Sequence, residues 1–186
     1  MSPIDIMGVF WVIFLVVWLI GGLTSKRTAR RAAGPWIARV FFVLIILIAL
    51  QMPGFHGAFN YLFKPIPNAS LNWLGVLFSG IGFALAIWAR FFLGRNWGMP
   101  MSLKENPELV TSGPYAYIRH PIYSGLLLAV VGSALTMGPW WFIMLIVSGM
   151  YFFYAAKHEE KLMLQEFPNQ YPAYKAHTKM LVPFVF

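Results

Sequence analysis

What most constrains this chain is a set of long stretches that carry no Asp, Glu, Lys or Arg: Ile6 to Ser25, Val40 to Phe63, Pro65 to Ala89 and Pro121 to Ala156. A helix needs roughly 20 mainly apolar residues to cross a hydrocarbon core about 30 Å thick. The first three stretches each meet that length and are read as one helix apiece. The fourth is too long for a single crossing, and Gly138-Pro139 interrupts it near its middle with the pair least compatible with a continuing helix. It is read as a helical hairpin, with arms of about 16 to 18 residues that are short for a full span at 1.5 Å per residue. The expected fold is therefore all-α: a polytopic integral membrane protein with about five transmembrane helices. Composition agrees, because 59% of the residues are hydrophobic and only 11% are charged. Asp5 stands where a signal peptide would be basic, and the run behind it is longer than an h-region, so the first helix is expected to stay as an anchor.

Orientation follows from lysine and arginine, which accumulate in cytoplasmic loops. Lys26, Arg27, Arg30, Arg31 and Arg39 fall between the first and second helices. Arg90, Arg95, Lys104 and Arg119 fall between the third and fourth, and Lys157, Lys161, Lys175 and Lys179 follow the fifth. Of the 14 basic residues only Lys64 is left for the opposite side. This places the N-terminus outside and the C-terminus in the cytoplasm, across the inner membrane if the chain is bacterial. The formal charge of +8 is thus a topology signal that also suits anionic lipid headgroups, and nucleic acid is not an expected partner. The chain has no cysteine, which excludes disulfides and thiolate chemistry. No metal site is expected, and oligomeric state is not readable.

The cytoplasmic segments are too aromatic and too rich in turn residues to be mere linkers. Residues 113–125 read Gly-Pro-Tyr-Ala-Tyr-Ile-Arg-His-Pro-Ile-Tyr-Ser-Gly. Gly113 permits backbone geometry closed to other residues, Pro114 restricts its own, and Pro121 suits the first turn of a helix. Arg119 offers planar donors for a carboxylate, and His120 a donor or acceptor near neutral pH. A second cluster follows the last apolar run: Lys157, His158, Glu159 and Glu160 continue the helix, then Phe167-Pro168 and Tyr171-Pro172 break it before Tyr174, Lys175, His177 and Lys179. Read from physics alone, the first segment is either a site for a zwitterionic small molecule bearing an aromatic group or a belt of interfacial tyrosines with a snorkelling arginine.

The order of these residues resembles the signature of the isoprenylcysteine carboxyl methyltransferase family and its bacterial relatives, which also include phospholipid methyltransferases. That signature runs glycine-proline-tyrosine, then arginine-histidine-proline, one residue, tyrosine, one residue, glycine. Its second half is a glutamate pair, a phenylalanine, two tyrosines three apart and a closing proline-phenylalanine, here Glu159-Glu160, Phe167, Tyr171, Tyr174 and Pro183-Phe184. The resemblance covers about Leu93 to Phe186. It implies a division into N-terminal membrane helices (1–92) and a catalytic region (93–186).

The resemblance further implies that S-adenosyl-L-methionine binds from the cytosol and that a lipophilic acceptor reaches it from the bilayer. By position, Tyr115, Arg119, His120, Pro121 and Tyr123 hold the adenosine and carboxylate, Gly113 and Pro114 shape the turn, and Glu159 or Glu160 takes the ammonium. His177 stands where the carboxyl methyltransferases are expected to carry an arginine that orients the acceptor. With Glu160 it forms the candidate catalytic pair. Because histidine does not fork a carboxylate as arginine does, carboxylate, amine and thiol acceptors all stay open, with His177 a base for the latter two. Asn96 and Trp97 are further candidates for contact with the cofactor. The tryptophans Trp11, Trp18, Trp73, Trp88, Trp140 and Trp141 are read as interfacial or lipid-facing, and Gly75, Gly80, Gly82, Gly132 and Gly149 as points of close helix contact. Two other functions are weighed against methyl transfer: an NADPH-dependent membrane reductase of the sterol reductase type, which shares a similar tyrosine and arginine-histidine region, and a non-catalytic membrane scaffold or small transporter.

Overall fold

The computed structural model describes residues 1–23, 28–31, 64–98 and 102–182. Four long helices dominate: α1 (Pro3–Leu23), α2 (Ala69–Leu93), α3 (Pro121–Met137) and α4 (Trp140–Glu166), followed by a short α5 (Tyr171–His177). Three of them, α1, α2 and α4, are long and apolar enough to cross a membrane, and α3 is a shorter apolar helix. The chain is an all-α integral membrane protein. Of the five expected spans, the second, Val40 to Phe63, lies outside the described residues. One unforeseen feature is a small antiparallel ladder in which Thr28–Arg31 pairs with Ser102–Lys104.

Helix limits follow local chemistry. The third expected helix starts at Ala69 rather than Pro65, because the Asn68 side chain accepts from the Leu71 amide at 3.1 Å and so caps the first turn. It runs past Ala89 to Leu93 and stops at Gly94, whose φ of 52° suits a residue without a Cβ. Arg90 therefore belongs to the last turn of α2 and not to a loop. The hairpin breaks where expected: α3 ends at Met137, Gly138 adopts φ 115°, and Pro139 caps α4. Beyond its apolar part α4 continues through the Lys157–Lys161 segment to Glu166, as the charged run suggests.

Among the described residues the tightest helix contact is between α2 and α3. Gly75, Ser79, Gly82 and Ala86 recur every three or four residues on α2 and meet Gly125, Ala129, Gly132 and Thr136 of α3. A Cβ on Gly82 would stand 2.5 Å from the Gly125 carbonyl oxygen. Small residues let two backbones approach in a bilayer, where dispersion contacts replace the hydrophobic effect as the main attraction. Polar links reinforce the seam: Ser79 Oγ donates to the Ala129 carbonyl at 2.8 Å and Thr136 Oγ1 to the Asn72 carbonyl at 3.0 Å. Gly149, expected at such a contact, has nothing among the described residues within 4 Å of where a Cβ would stand.

Helix α1 leans on this pair through aromatic rings. Phe14 lies 5.2 Å from Phe83, Trp11 lies 4.9 Å from Phe83, and the Trp11 indole donates to Ser133 Oγ at 3.1 Å. Trp11 thus faces inward, contrary to the interfacial reading, whereas Trp73 and Trp88 are about half exposed as that reading expects. Helix α4 meets α3 through Tyr123 and Phe152, which stack at 4.7 Å, and reaches α1 through Trp141, 5.2 Å from Trp11.

The basic segments converge on one face. The ladder places 28–31 beside 102–104, and an extended stretch after α5 runs alongside 117–120. In that second pairing the Arg119 and His120 amides donate to the Lys179 and Met180 carbonyls at 2.8 and 3.1 Å.

Candidate active site

The turn that opens the site depends on Gly113. Its φ of 60° is left-handed, and a Cβ there would meet the Phe92 ring at 2.5 Å, so the position is closed to other residues on both counts. Pro114 follows within a short 3-10 turn, Gly113–Ala116, and is buried with Tyr115. His120 then caps α3, and Pro121 occupies its first turn. The turn is held from the C-terminal side as well, since the Tyr174 hydroxyl donates to the Tyr115 carbonyl at 2.8 Å.

Between this turn, α4 and α5 lies a network of ions. Glu160 is only 3% exposed. Its carboxylate accepts from Arg119 Nε at 2.7 Å and from Lys175 Nζ at 2.6 Å. The Arg119 Nη1 donates to the Thr178 carbonyl and, at 3.3 Å, to the Lys175 carbonyl. One glutamate thereby ties α4, the turn before α3 and the C-terminal segment together. Glu159 faces elsewhere. It accepts from the Tyr123 hydroxyl at 2.6 Å, and its other oxygen stands 3.4 Å from His120 Nδ1. His120 Nε2 is 3.8 Å from Glu160, beyond hydrogen-bond length, and has no partner among the described residues.

These contacts set the protonation of the site. Burial alone would lower the His120 pKa, but the Glu159 and Glu160 carboxylates beside the ring outweigh burial and hold it above the usual histidine value. Burial pushes Tyr115 well above the ordinary phenol range, with Tyr174 and Glu159 adding to the effect. Tyr174 is pushed up to about 12, chiefly by burial. These phenols stay neutral and available as donors at any physiological pH.

Beside this network is a cavity of about 460 Å³, within the range of small-molecule sites. Tyr115, Arg119, His120, Tyr123 and Glu159 line it, whereas Gly113, Pro114 and Pro121, also singled out from sequence, are not among its lining residues. Glu160 does not line it. Its carboxylate is spent on Arg119 and Lys175, which separates the roles of two neighbours that sequence left equivalent. His177 is exposed at the end of α5 and is not part of the wall either. Trp97 lines the cavity, whereas Asn96 is not among the lining residues, and its Nδ2 donates to Oε2 of Glu108 at 3.4 Å.

Several wall residues escaped the sequence reading. Trp18 of α1 was read as lipid-facing, yet it turns inward and meets Trp97 edge-on at 5.4 Å. Glu108 adds a second carboxylate, in a stretch where an isolated acid before Leu109 and Val110 gives no signal of its own. Leu93, Leu126 and Phe152 supply an apolar wall from membrane helices. No cluster of three potential metal ligands occurs among the described residues.

Residues 71–170 match the family described as phospholipid methyltransferase, a span from α2 to the residue before α5 that includes the 113–125 turn and both glutamates. The chain belongs to the phospholipid methyltransferase family. It is also similar to the protein-S-isoprenylcysteine O-methyltransferase of Schizosaccharomyces pombe (strain 972 / ATCC 24843), with 24% identity over 144 residues. That alignment takes in 75% of this chain but only 58% of the relative, so the chain spans less than two thirds of that protein's length. The family match covers most of the cavity wall, while Trp18, Tyr171 and Tyr174 come from outside it.

Proposed function

We propose that this protein is an S-adenosyl-L-methionine-dependent methyltransferase acting on a lipophilic acceptor that arrives from the bilayer. The observation that carries the reading is a cavity with Glu159, Arg119 and His120 on one wall and apolar residues of membrane helices, Trp18, Leu93 and Leu126, on another. Family membership supports the reaction class.

The residues suit the cofactor's chemistry. Glu159 is a cavity carboxylate oriented by the Tyr123 hydroxyl, as an ammonium group requires. His120 carries a buried Nε2 with no hydrogen-bond partner among the described residues, a polar atom the cofactor can meet. Tyr115, Tyr171 and Tyr174 offer aromatic surface for a purine. When bound, S-adenosylmethionine supplies an electrophilic methyl group. The protein then has to align the acceptor and exclude water, and positioning of this kind supplies on the order of 7 to 11 kcal/mol without any nucleophilic side chain. Glu108 and Glu159 line the cavity together with Arg119 and His120, while Glu160 engages Lys175 and the Arg119 guanidinium from behind.

The basic segments that converge on the site's face support a cytoplasmic location for the site and the C-terminus, with the N-terminus outside. Calorimetry on the purified protein with S-adenosylhomocysteine and with NADPH tests the cofactor, and labelled methyl transfer into a total lipid extract tests the reaction. Binding of NADPH in place of S-adenosylhomocysteine would return the protein to the reductase reading. Reporter tags at the C-terminus test the topology.

A further inference from the structure

Arg90 is a charged side chain in the last turn of an apolar membrane helix, only 5% exposed. An arginine in such a place is costly unless its donors are satisfied. Here Nη1 donates to the Gly94 carbonyl at 2.7 Å, and Nη2 donates to the Gly21 carbonyl of α1. Both acceptors sit at helix C-terminal ends, where the helix dipole is negative, and the Gly94 carbonyl also accepts from the Trp97 amide at 3.3 Å. The guanidinium carbon also lies 4.6 Å from the centre of the Trp97 ring, within cation–π range. Trp97 in turn meets Trp18, and both line the cavity.

We propose that Arg90 is a positioning residue that clamps the end of α1, the end of α2 and Trp97 into one rigid apolar wall, and so sets how well the lipophilic acceptor is held. Two segments distant in sequence, the end of α1 and the end of α2 with Trp97 just beyond it, meet at one planar cation. The polar side of the site, with Glu159 and His120, is held separately by α3 and α4. Loss of the clamp loosens the Trp18–Trp97 wall and leaves the cofactor's polar contacts in place. Lysine is a poor substitute, because a single ammonium does not span two carbonyls while lying flat on an indole.

The kinetic arm rests on the methyl-transfer reading, and a spectroscopic arm does not. In full-length protein in nanodiscs, Arg90→Gln and Arg90→Lys should each raise the lipid-extract concentration for half-maximal methyl transfer by about tenfold, a loss typical of a broken coupling network. Affinity for S-adenosylhomocysteine should stay within about twofold in both Arg90 variants, and Trp97→Ala should raise the half-maximal lipid concentration to the same extent, with no further rise when combined with Arg90→Gln. In protein labelled with 5-fluorotryptophan, Arg90→Gln should shift or broaden the Trp18 and Trp97 resonances and leave those of Trp73 and Trp88 in place. Should Arg90→Gln fail to fold, Gly21→Ala perturbs the same clamp, since its Cβ would stand 2.9 Å from Nη2. Unchanged Trp18 and Trp97 resonances would overturn the proposal, as would additive effects of Arg90→Gln and Trp97→Ala. So would a fall in S-adenosylhomocysteine affinity as large as the fall in transfer. A wild-type protein that transfers no methyl group refutes the proposed function, and the resonances still decide the clamp.

Discussion

Glu159 and Glu160 are adjacent and chemically identical, yet their surroundings predict opposite consequences of removing them. Glu160→Ala leaves Arg119, whose side chain is 9% exposed, without its carboxylate partner. Breaking a buried pair by deleting one member costs about 3 to 5 kcal/mol, because the remaining charge stays desolvated. The Lys175 contact adds little, since that side chain is 40% exposed and such pairs contribute about 0 to 1 kcal/mol. At roughly 2 to 4 °C per kcal/mol for a chain of this size, thermal unfolding in detergent should move down by about 6 to 20 °C. Glu159→Ala removes a partly exposed carboxylate that lines the cavity and is held by the Tyr123 hydroxyl beside His120, so at about 0.5 to 1.5 kcal/mol it should shift unfolding by about 1 to 6 °C. The same change should weaken S-adenosylhomocysteine binding by about tenfold or more, the scale of a lost charge-assisted contact. Thermal shift and calorimetry on the two variants give both numbers. The reasoning fails if Glu160→Ala unfolds within about 2 °C of wild type, or if Glu159→Ala is the more destabilised of the two.

Three other expectations follow from the site. His120 has a folded pKa raised above its unfolded value, so its contribution to stability is complete below about 6.5, the unfolded value, and is lost as pH rises through the folded pKa; thermal unfolding followed from about pH 6 upward should show that decline in wild type and not in His120→Gln. His177→Ala should keep turnover within about twofold, because an exposed side chain outside the cavity makes no contact confined to the transition state, and steady-state assays with lipid extract check this. Gly113→Ala should destabilise by about 1 to 3 kcal/mol through left-handed strain and contact with Phe92, visible as a drop in unfolding temperature.

Membrane insertion and the helix limits around Gly138-Pro139 were legible from sequence because they rest on local properties: uncharged length, and residues that end a helix wherever they stand. The turn from Gly113 to Pro121 was legible for the same reason, as its glycine and prolines restrict the backbone without help from the rest of the fold. Charge distribution foretold that three basic segments share a face, which the 28–31 ladder and the 117–120 pairing realise. Arg90 shows the limit of that reasoning. Sequence counted it as a loop cation, but two helix-end carbonyls and an indole allow it to stay inside α2.

Tertiary structure decided everything that depends on direction. In helices hydrophobic on all sides no periodicity marks an inner face, so Trp11 and Trp18 gave no sign that they turn inward while Trp73 and Trp88 do not. Neighbouring residues on one helix point about 100° apart, which sends Glu160 into the Arg119–Lys175 network and Glu159 to the cavity, a distinction no pair of identical letters can carry. Likewise His177 holds a suggestive place in the chain, but α5 ends with that side chain in the open. Residue type and spacing determined which chemistry was possible here; the rotation of each helix determined which side chains reach it.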